Sequence, residues 1–164
     1  MPLKLSKLSV LVIDDTKPMV DLISGVLDGL GVGQIYTAVN GEAGLDSVKR
    51  LNPDIVLCDW EMPEFNGIEF TKEIRTNTLY PNPQVPIMMM SGYGMPNRVL
   101  KARDAGITEF IVKPFMAQDI AKRIVYVVNH PRDFIDSETY TGPDRRRQQK
   151  PDYKGPFRRE DDQK

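Results

Sequence analysis

Three carboxylates, a hydroxyl and an ammonium each stand directly after a short apolar run. Asp14-Asp15 follows Leu8 to Ile13, Asp59 follows Ile55 to Cys58, Ser91 follows Val85 to Met90, and Lys113 follows Thr108 to Val112. Carboxylates held close together repel unless a cation sits among them or one keeps a proton. Oxygen-only ligands favour a hard divalent ion, and Mg²⁺ suits two carboxylates completed by waters and a phosphate. With the metal and the Lys113 ammonium neutralising charge, an ionised carboxylate can act as a nucleophile on phosphorus, and Asp59, the central one, is the candidate. Ser91 can donate a hydrogen bond to one phosphoryl oxygen while Lys113 pairs with another as a point charge. Serine-histidine catalysis is excluded, because the only histidine, His130, lies beyond the last predicted helix as a solvated terminal residue.

This chemistry needs elements that bring the five residues to one place. The apolar runs alternate with segments of helical period, which is the signature of βα units around a parallel sheet. Five strands are predicted: Leu8 to Ile13, Ile35 to Val39, Ile55 to Cys58, Val85 to Met90 and Thr108 to Val112. The first helix carries Met19, Leu22, Val26 and Leu30 on one face and stops at Gly31. Asn40-Gly41 opens the second, which carries Leu45 and Val48 and ends at Asn52-Pro53. The third starts near Asn66 and runs through Phe70 and Ile74, the fourth spans Pro96 to Ala105 before Gly106, and the fifth carries Ile120, Ile124 and Val127 before Pro131. In an open parallel sheet functional groups gather beyond the carboxyl ends of the strands, so all five residues are predicted at one edge. Met88, Met89 and Met90 lie inside a strand and are read as core, as is Cys58.

Lys plus Arg (22) nearly balances Asp plus Glu (23), so no chain-wide charge points to nucleic acid or an anionic membrane. A single cysteine precludes an intrachain disulfide and fits a reducing compartment. No apolar run approaches membrane-spanning length and no secretory leader pattern is present, so a cytoplasmic protein is expected. Beyond residue 130 the composition turns to Pro, Gly, Arg, Asp and Gln with few aliphatics. Residues 1–130 are therefore read as one domain and residues 131–164 as a disordered tail. The tail holds a repeat: Tyr140-Thr-Gly-Pro-Asp-Arg-Arg recurs as Tyr153-Lys-Gly-Pro-Phe-Arg-Arg.

Over roughly residues 6–129 the sequence resembles the receiver domains of bacterial two-component response regulators, close to the single-domain chemotaxis type. The resemblance rests on Val12-Ile13-Asp14-Asp15, Cys58-Asp59-Trp60-Glu61-Met62-Pro63, Asn66-Gly67, Ser91-Gly92 and Lys113-Pro114-Phe115 in that order. It implies a doubly wound, flavodoxin-like (βα)5 fold with strand order 2-1-3-4-5. It also implies Asp59 as phosphoacceptor, Asp15 as a direct metal ligand, Asp14 as an acid-pocket partner acting through water, and Glu61 as a metal ligand through its backbone carbonyl. Ser91 and Phe110 fall at the family's switch positions and Lys113 at its characteristic lysine, with a cis Lys113-Pro114 bond. Glu61 and Tyr93, two residues after Asp59 and Ser91, fall where members vary the phosphoryl lifetime.

The implied function is a receiver without an output domain. It accepts a phosphoryl group from a histidine kinase or phosphotransfer protein on Asp59 and signals to an unnamed protein target through the fourth helix, fifth strand and fifth helix. The chain leaves no room for a DNA-binding module. It is not an enzyme in the usual sense, although it takes part in its own phosphorylation and dephosphorylation. Two alternatives remain: an adaptor whose Arg-rich tail is the binding output, and a haloacid-dehalogenase-like phosphatase. The second is disfavoured because that family places its Asp-x-Asp nucleophile on the first strand.

Overall fold

Alternate residues of the apolar runs point to opposite faces of one sheet in the computed structural model, which describes residues 5–92 and 94–145. The strands are β1 (Ser9–Ile13), β2 (Gln34–Ala38), β3 (Ile55–Asp59), β4 (Ile87–Ser91) and β5 (Glu109–Val112). All are parallel, in the order β2-β1-β3-β4-β5. Each bound lies within two residues of the sequence reading.

The helices are α1 (Lys17–Gly29), α2 (Gly41–Leu51), α3 (Gly67–Thr76), α4 (Pro96–Ala105) and α5 (Ala117–Asn129). On one face Val10, Val12, Leu57, Met88 and Met90 pack with Ile23 and Leu27 of α1 and Ile120, Ile124 and Val127 of α5. On the other, Leu11, Ile13, Val56, Cys58 and Ile87 meet Val48 of α2 and Phe70 and Ile74 of α3. The helix starts and stops follow local chemistry. Asn40 and Asn66 cap α2 and α3 by accepting from Ala43 N–H (2.8 Å) and Glu69 N–H (3.0 Å). Gly106 ends α4 at φ +105, a left-handed conformation that glycine adopts without strain.

Helix α1 turns a different stripe inward from the one predicted. Ile23 and Leu27 are fully buried, Met19, Val26 and Leu30 lie at the core margin, and Leu22 is 50% exposed. Two overlapping apolar stripes were available, and the one through Ile23 and Leu27 packs against the sheet.

The domain boundary also falls differently. Instead of disorder from residue 131, β6 (Phe134–Asp136) and β7 (Thr141–Pro143) form an antiparallel hairpin against the end of α3. Polar and aromatic contacts do the work that aliphatic burial does elsewhere. Arg132 Nη1 donates to the Thr108 carbonyl (2.9 Å), and the Arg75 guanidinium lies 5.2 Å from the Phe134 ring centroid. Residues 146–164, including the second tail unit, lie outside the described residues.

Arg75 joins three segments, donating to the carbonyls of Gly106 (2.9 Å), Pro83 (2.7 Å) and Val85 (2.7 Å) while only 3% exposed. Lysine cannot reproduce this planar fork and leaves buried carbonyls without donors. Arg75→Lys is expected to cost about 2–4 kcal/mol in urea unfolding and to strip hydrogen-exchange protection from residues 134–143 first.

Candidate functional site

Parallel register sets the site. Ile13 lies opposite Cys58, Asp59 opposite Met90, and Ser91 opposite Val112, so the residues that end or follow β1, β3, β4 and β5 reach one edge of the sheet. One carboxylate oxygen from each of Asp14, Asp15 and Asp59 lies within 4.8 Å of the others. Asp14 and Asp59 are buried, at 1% and 3% exposure, and Asp15 is exposed, so the cluster opens to solvent on one side.

Lys113 Nζ donates to Asp59 Oδ1 at 3.0 Å and stands 3.6 Å from Asp14 Oδ2. Asp14 Oδ1 accepts from the Thr16 backbone N–H (2.9 Å) and hydroxyl (2.7 Å). Its other oxygen is buried without a hydrogen bond. Burial pushes the Asp59 carboxyl up to about 6; the Lys113 hydrogen bond opposes that rise, and the Asp14 charge adds to it. Lys113 is also raised: its burial works against the charged form, but Asp59 and Asp14 outweigh it. The donor set fits a hard divalent cation, because it is oxygen-only, carries excess negative charge, leaves Asp14 Oδ2 unsatisfied and has an open side at Asp15.

Ser91 sits beside this cluster and its hydroxyl is turned elsewhere. Ser91 Oγ donates to Glu61 Oε1 at 2.5 Å, and Arg98 Nη2 pairs with the same oxygen while approaching Ser91 Oγ at 3.3 Å. The Arg98 guanidinium stacks 3.7 Å from the centroid of Trp60, and Trp60 meets Phe110 edge-on, centroids 6.3 Å apart at 80°. Phe110 is directed inward, 9% exposed, among Ile68, Met89, Ala102 and Ala105.

The structure thus brings Asp14, Asp15, Asp59 and Lys113 together and sets Ser91, Glu61 and Phe110 next to them. The Lys113-Pro114 bond is cis. Tyr93 lies outside the described residues. Cys58 is fully buried, and burial holds its thiol well above its ordinary range, which fits the core reading. His130 is exposed at the end of α5, stacked on Tyr126 far from this cluster in sequence. Sequence reasoning missed Arg98. Nothing about an arginine in the first turn of an exposed helix distinguishes it, and only the fold brings it over Trp60.

A family model described as response regulator receiver domain matches residues 10–125. Chemotaxis protein CheY1 of Helicobacter pylori is 30% identical over 125 residues, covering 74% of this chain and 97% of that protein. Chemotaxis protein CheY of Thermotoga maritima is 34% identical over 115 residues, covering 70% and 92%. Among solved structures, a putative response regulator from Chloroflexus aurantiacus superposes with TM-score 0.69 at 25% identity, covering 75% of this chain and 98% of that one. Vibrio cholerae CheY4 superposes with TM-score 0.67 at 28% identity, covering 73% and 98%.

A carboxyl raised by burial destabilises the metal-free fold at neutral pH, since folding carries a charged group out of water. The sign follows: the folded state binds the extra proton between the ordinary carboxylate range and about pH 6, so this group's penalty is full above that pH and fades as pH falls through it. Asp59→Asn is therefore expected to stabilise the metal-free protein by about 1–2 kcal/mol at pH 7.5, with the gain shrinking towards pH 5, in thermal unfolding at both values. Added Mg²⁺ should stabilise the wild type and leave the variant nearly unmoved.

Proposed function

Because the chain belongs to the response regulator receiver family, whose members are phosphorelay signalling proteins of two-component systems rather than conventional enzymes, we propose that it is a phosphorylation-operated switch with Asp59 as phosphoacceptor. The observation that carries this reading is the Lys113–Asp59 contact of 3.0 Å inside a three-carboxylate cluster of which Asp14 and Asp59 are buried.

The phosphodonor is a histidine kinase or a histidine phosphotransfer protein. Asp59 attacks phosphorus, the P–N bond breaks, and imidazole leaves with its other nitrogen protonated. Asp14, Asp15, Asp59 and the Glu61 backbone carbonyl would hold Mg²⁺, which supplies neutralisation of the phosphoryl charge. Lys113 moves from its carboxylate pairing to a phosphoryl oxygen. Ser91 leaves Glu61 and donates to a second oxygen, and Phe110 follows as the space behind Ser91 opens. Glu61 and Tyr93 set the lifetime of the phosphorylated form.

Output is by protein contact. Leu100 of α4, Val112 of β5 and Val125 and Tyr126 of α5 are each more than 40% exposed, apolar area that a partner can cover. Among the described residues no helix is long and apolar enough to cross a membrane, which fits the cytoplasmic setting proposed for such a partner. The phosphatase alternative has no support in the family match, and its nucleophile position is wrong for this chain order.

With beryllium fluoride and Mg²⁺, the amide signals of Ser91, Phe110 and Lys113 are expected to shift in the wild type and to stay in place in Asp59→Asn; an unmoved wild-type spectrum overturns the proposal. The Ser91–Glu61 bond competes with the phosphoryl group for one hydroxyl. Glu61→Ala is accordingly expected to raise the phosphorylated fraction reached with a small phosphodonor by roughly 5–10-fold in its equilibrium ratio, read by phosphate-affinity electrophoresis.

A further inference from the structure

The hairpin β6–β7 lies wholly beyond the segment that matches the receiver family, and it packs at the edge of the sheet opposite Asp59. Arg132 donates to the Thr108 carbonyl just before β5, Phe134 lies against Arg75 in the last turn of α3, and Gly142 is pressed on Gly106 at the end of α4. Both α3 and α4 run from the Asp59 edge to the hairpin, and they differ in how firmly they are held. Helix α3 buries Gly67, Ile68, Phe70, Thr71, Ile74 and Arg75 of its ten residues and is fixed. Helix α4, also ten residues and so about 15 Å long, buries Ala102 and Ala105 alone.

The hairpin straddles the two helices. On the fixed side it is held through Phe134 and Arg75. On the movable side Arg145, whose guanidinium lies 4.3 Å from the Tyr140 ring centroid, pairs with Asp104 in the last turn of α4 at 2.9 Å. The backbone contact beside this pair has no slack. A Cβ at residue 142 would come within 2.7 Å of the Gly106 Cα, and one at residue 106 within 2.8 Å of the Thr141 carbonyl oxygen. A displacement of residues 104–106 must therefore drag the hairpin from α3 or part from it. Parting is cheap at the ion pair, because the Asp104 side chain is 52% exposed and Arg103 also reaches it at 3.1 Å. All these contacts are made while Ser91 is turned to Glu61 and Phe110 is directed inward, the arrangement of the unphosphorylated site.

We propose that the hairpin is a brake on α4: it fits the resting position of the helix, so its seating and the phosphorylation of Asp59 oppose one another. The proposal rests on Asp59 being the phosphoacceptor. Both directions express one coupling free energy, and the phosphoryl group loosens the hairpin by the factor by which the seated hairpin disfavours the phosphoryl group. Whatever draws the hairpin off this edge raises phosphorylation without touching Asp59, which gives the switch a second input at the edge opposite its phosphodonor.

The test uses the full chain, with beryllium fluoride and saturating Mg²⁺ standing in for the phosphoryl group. In the wild type, amide exchange of residues 134–143 is expected to rise about 5-fold, and in Asp59→Asn to stay unchanged. In the reverse direction, Arg145→Ala is expected to lower the midpoint of the beryllium fluoride titration, followed at the Ser91 amide, by about 2–5-fold. Phe134→Ala, which loosens the hairpin from the α3 side and leaves Asp104 intact, should lower it as well. A purely structural loss of stability moves neither midpoint. If Ser91 and Lys113 shift while residues 134–143 exchange as before, the brake is overturned and the phosphoacceptor stands; if Ser91 and Lys113 do not move, the phosphoacceptor reading falls and the brake with it. Slower exchange in the hairpin, or unchanged midpoints in both variants, overturns the brake. So does a fall with Arg145→Ala alone, which assigns the effect to the charge of Asp104 and not to the hairpin.

Discussion

One ammonium among three carboxylates is the constraint from which the functional edge of this protein follows. Lys113 reaches Asp59 at 3.0 Å and Asp14 at 3.6 Å, yet burial still lifts Asp59 to about 6, so a single lysine does not offset the desolvation of two buried acids. The exposed Asp15 adds further negative charge. An edge held in this state has unused affinity for a cation, and it gains whenever charge is spread over more atoms than the Asp59 carboxylate offers. The apolar sheet beneath makes the arrangement tolerable, because β1 and β3 are buried along nearly their whole length and cannot shift to let water in.

Helix α4 is the element least secured by apolar packing. Only Ala102 and Ala105 of its ten residues are buried, two side chains whose burial is worth about one methyl group each. Polar ties at its ends compensate. Arg98 binds its first turn to Glu61 and Trp60, and Asp104 and Gly106 bind its last turn to the hairpin through Arg145 and Gly142. A helix held this way can change position by breaking a few charged contacts without opening a core, which is what a segment drawn from the low-stability end of the structure requires.

The legibility of this fold in the sequence tracks the physics of each part. Strands buried on both faces read as unbroken apolar runs, so β1, β3 and β4 could be found from pattern alone, while the edge strands β2 and β5, less apolar, followed from their alternation with helical segments. Helix α1 was harder, because Leu22 and Ile23 belong to overlapping stripes and only contact with the sheet decides between them. The hairpin escaped because aliphatic content measures one kind of burial. Arg75, Arg132 and Tyr140 hold it with guanidinium forks and a ring, and composition scores such residues as surface. Arg98 was unreadable for a related reason: its significance lies wholly in what stands opposite it.

That opposition gives a continuous path from charge to shape. Trp60 follows Asp59 directly, carries Arg98 on its face and meets Phe110 with its edge. Glu61, next along the chain, holds both Arg98 and the Ser91 hydroxyl. On the proposed function, drawing Ser91 to a phosphoryl oxygen removes one of the two donors from Glu61. The remaining pair, Glu61 with Arg98, is partly exposed, at 36% and 27% of the two side chains, and water screens it. Arg98 is then freer to leave the Trp60 face, and with it goes a tie between the first turn of α4 and the loop after β3. The packing of Phe110 against Trp60 loses its support from the same direction. Helix position and aromatic rotamer are therefore coupled through a single indole, and neither needs a separate signal from Asp59.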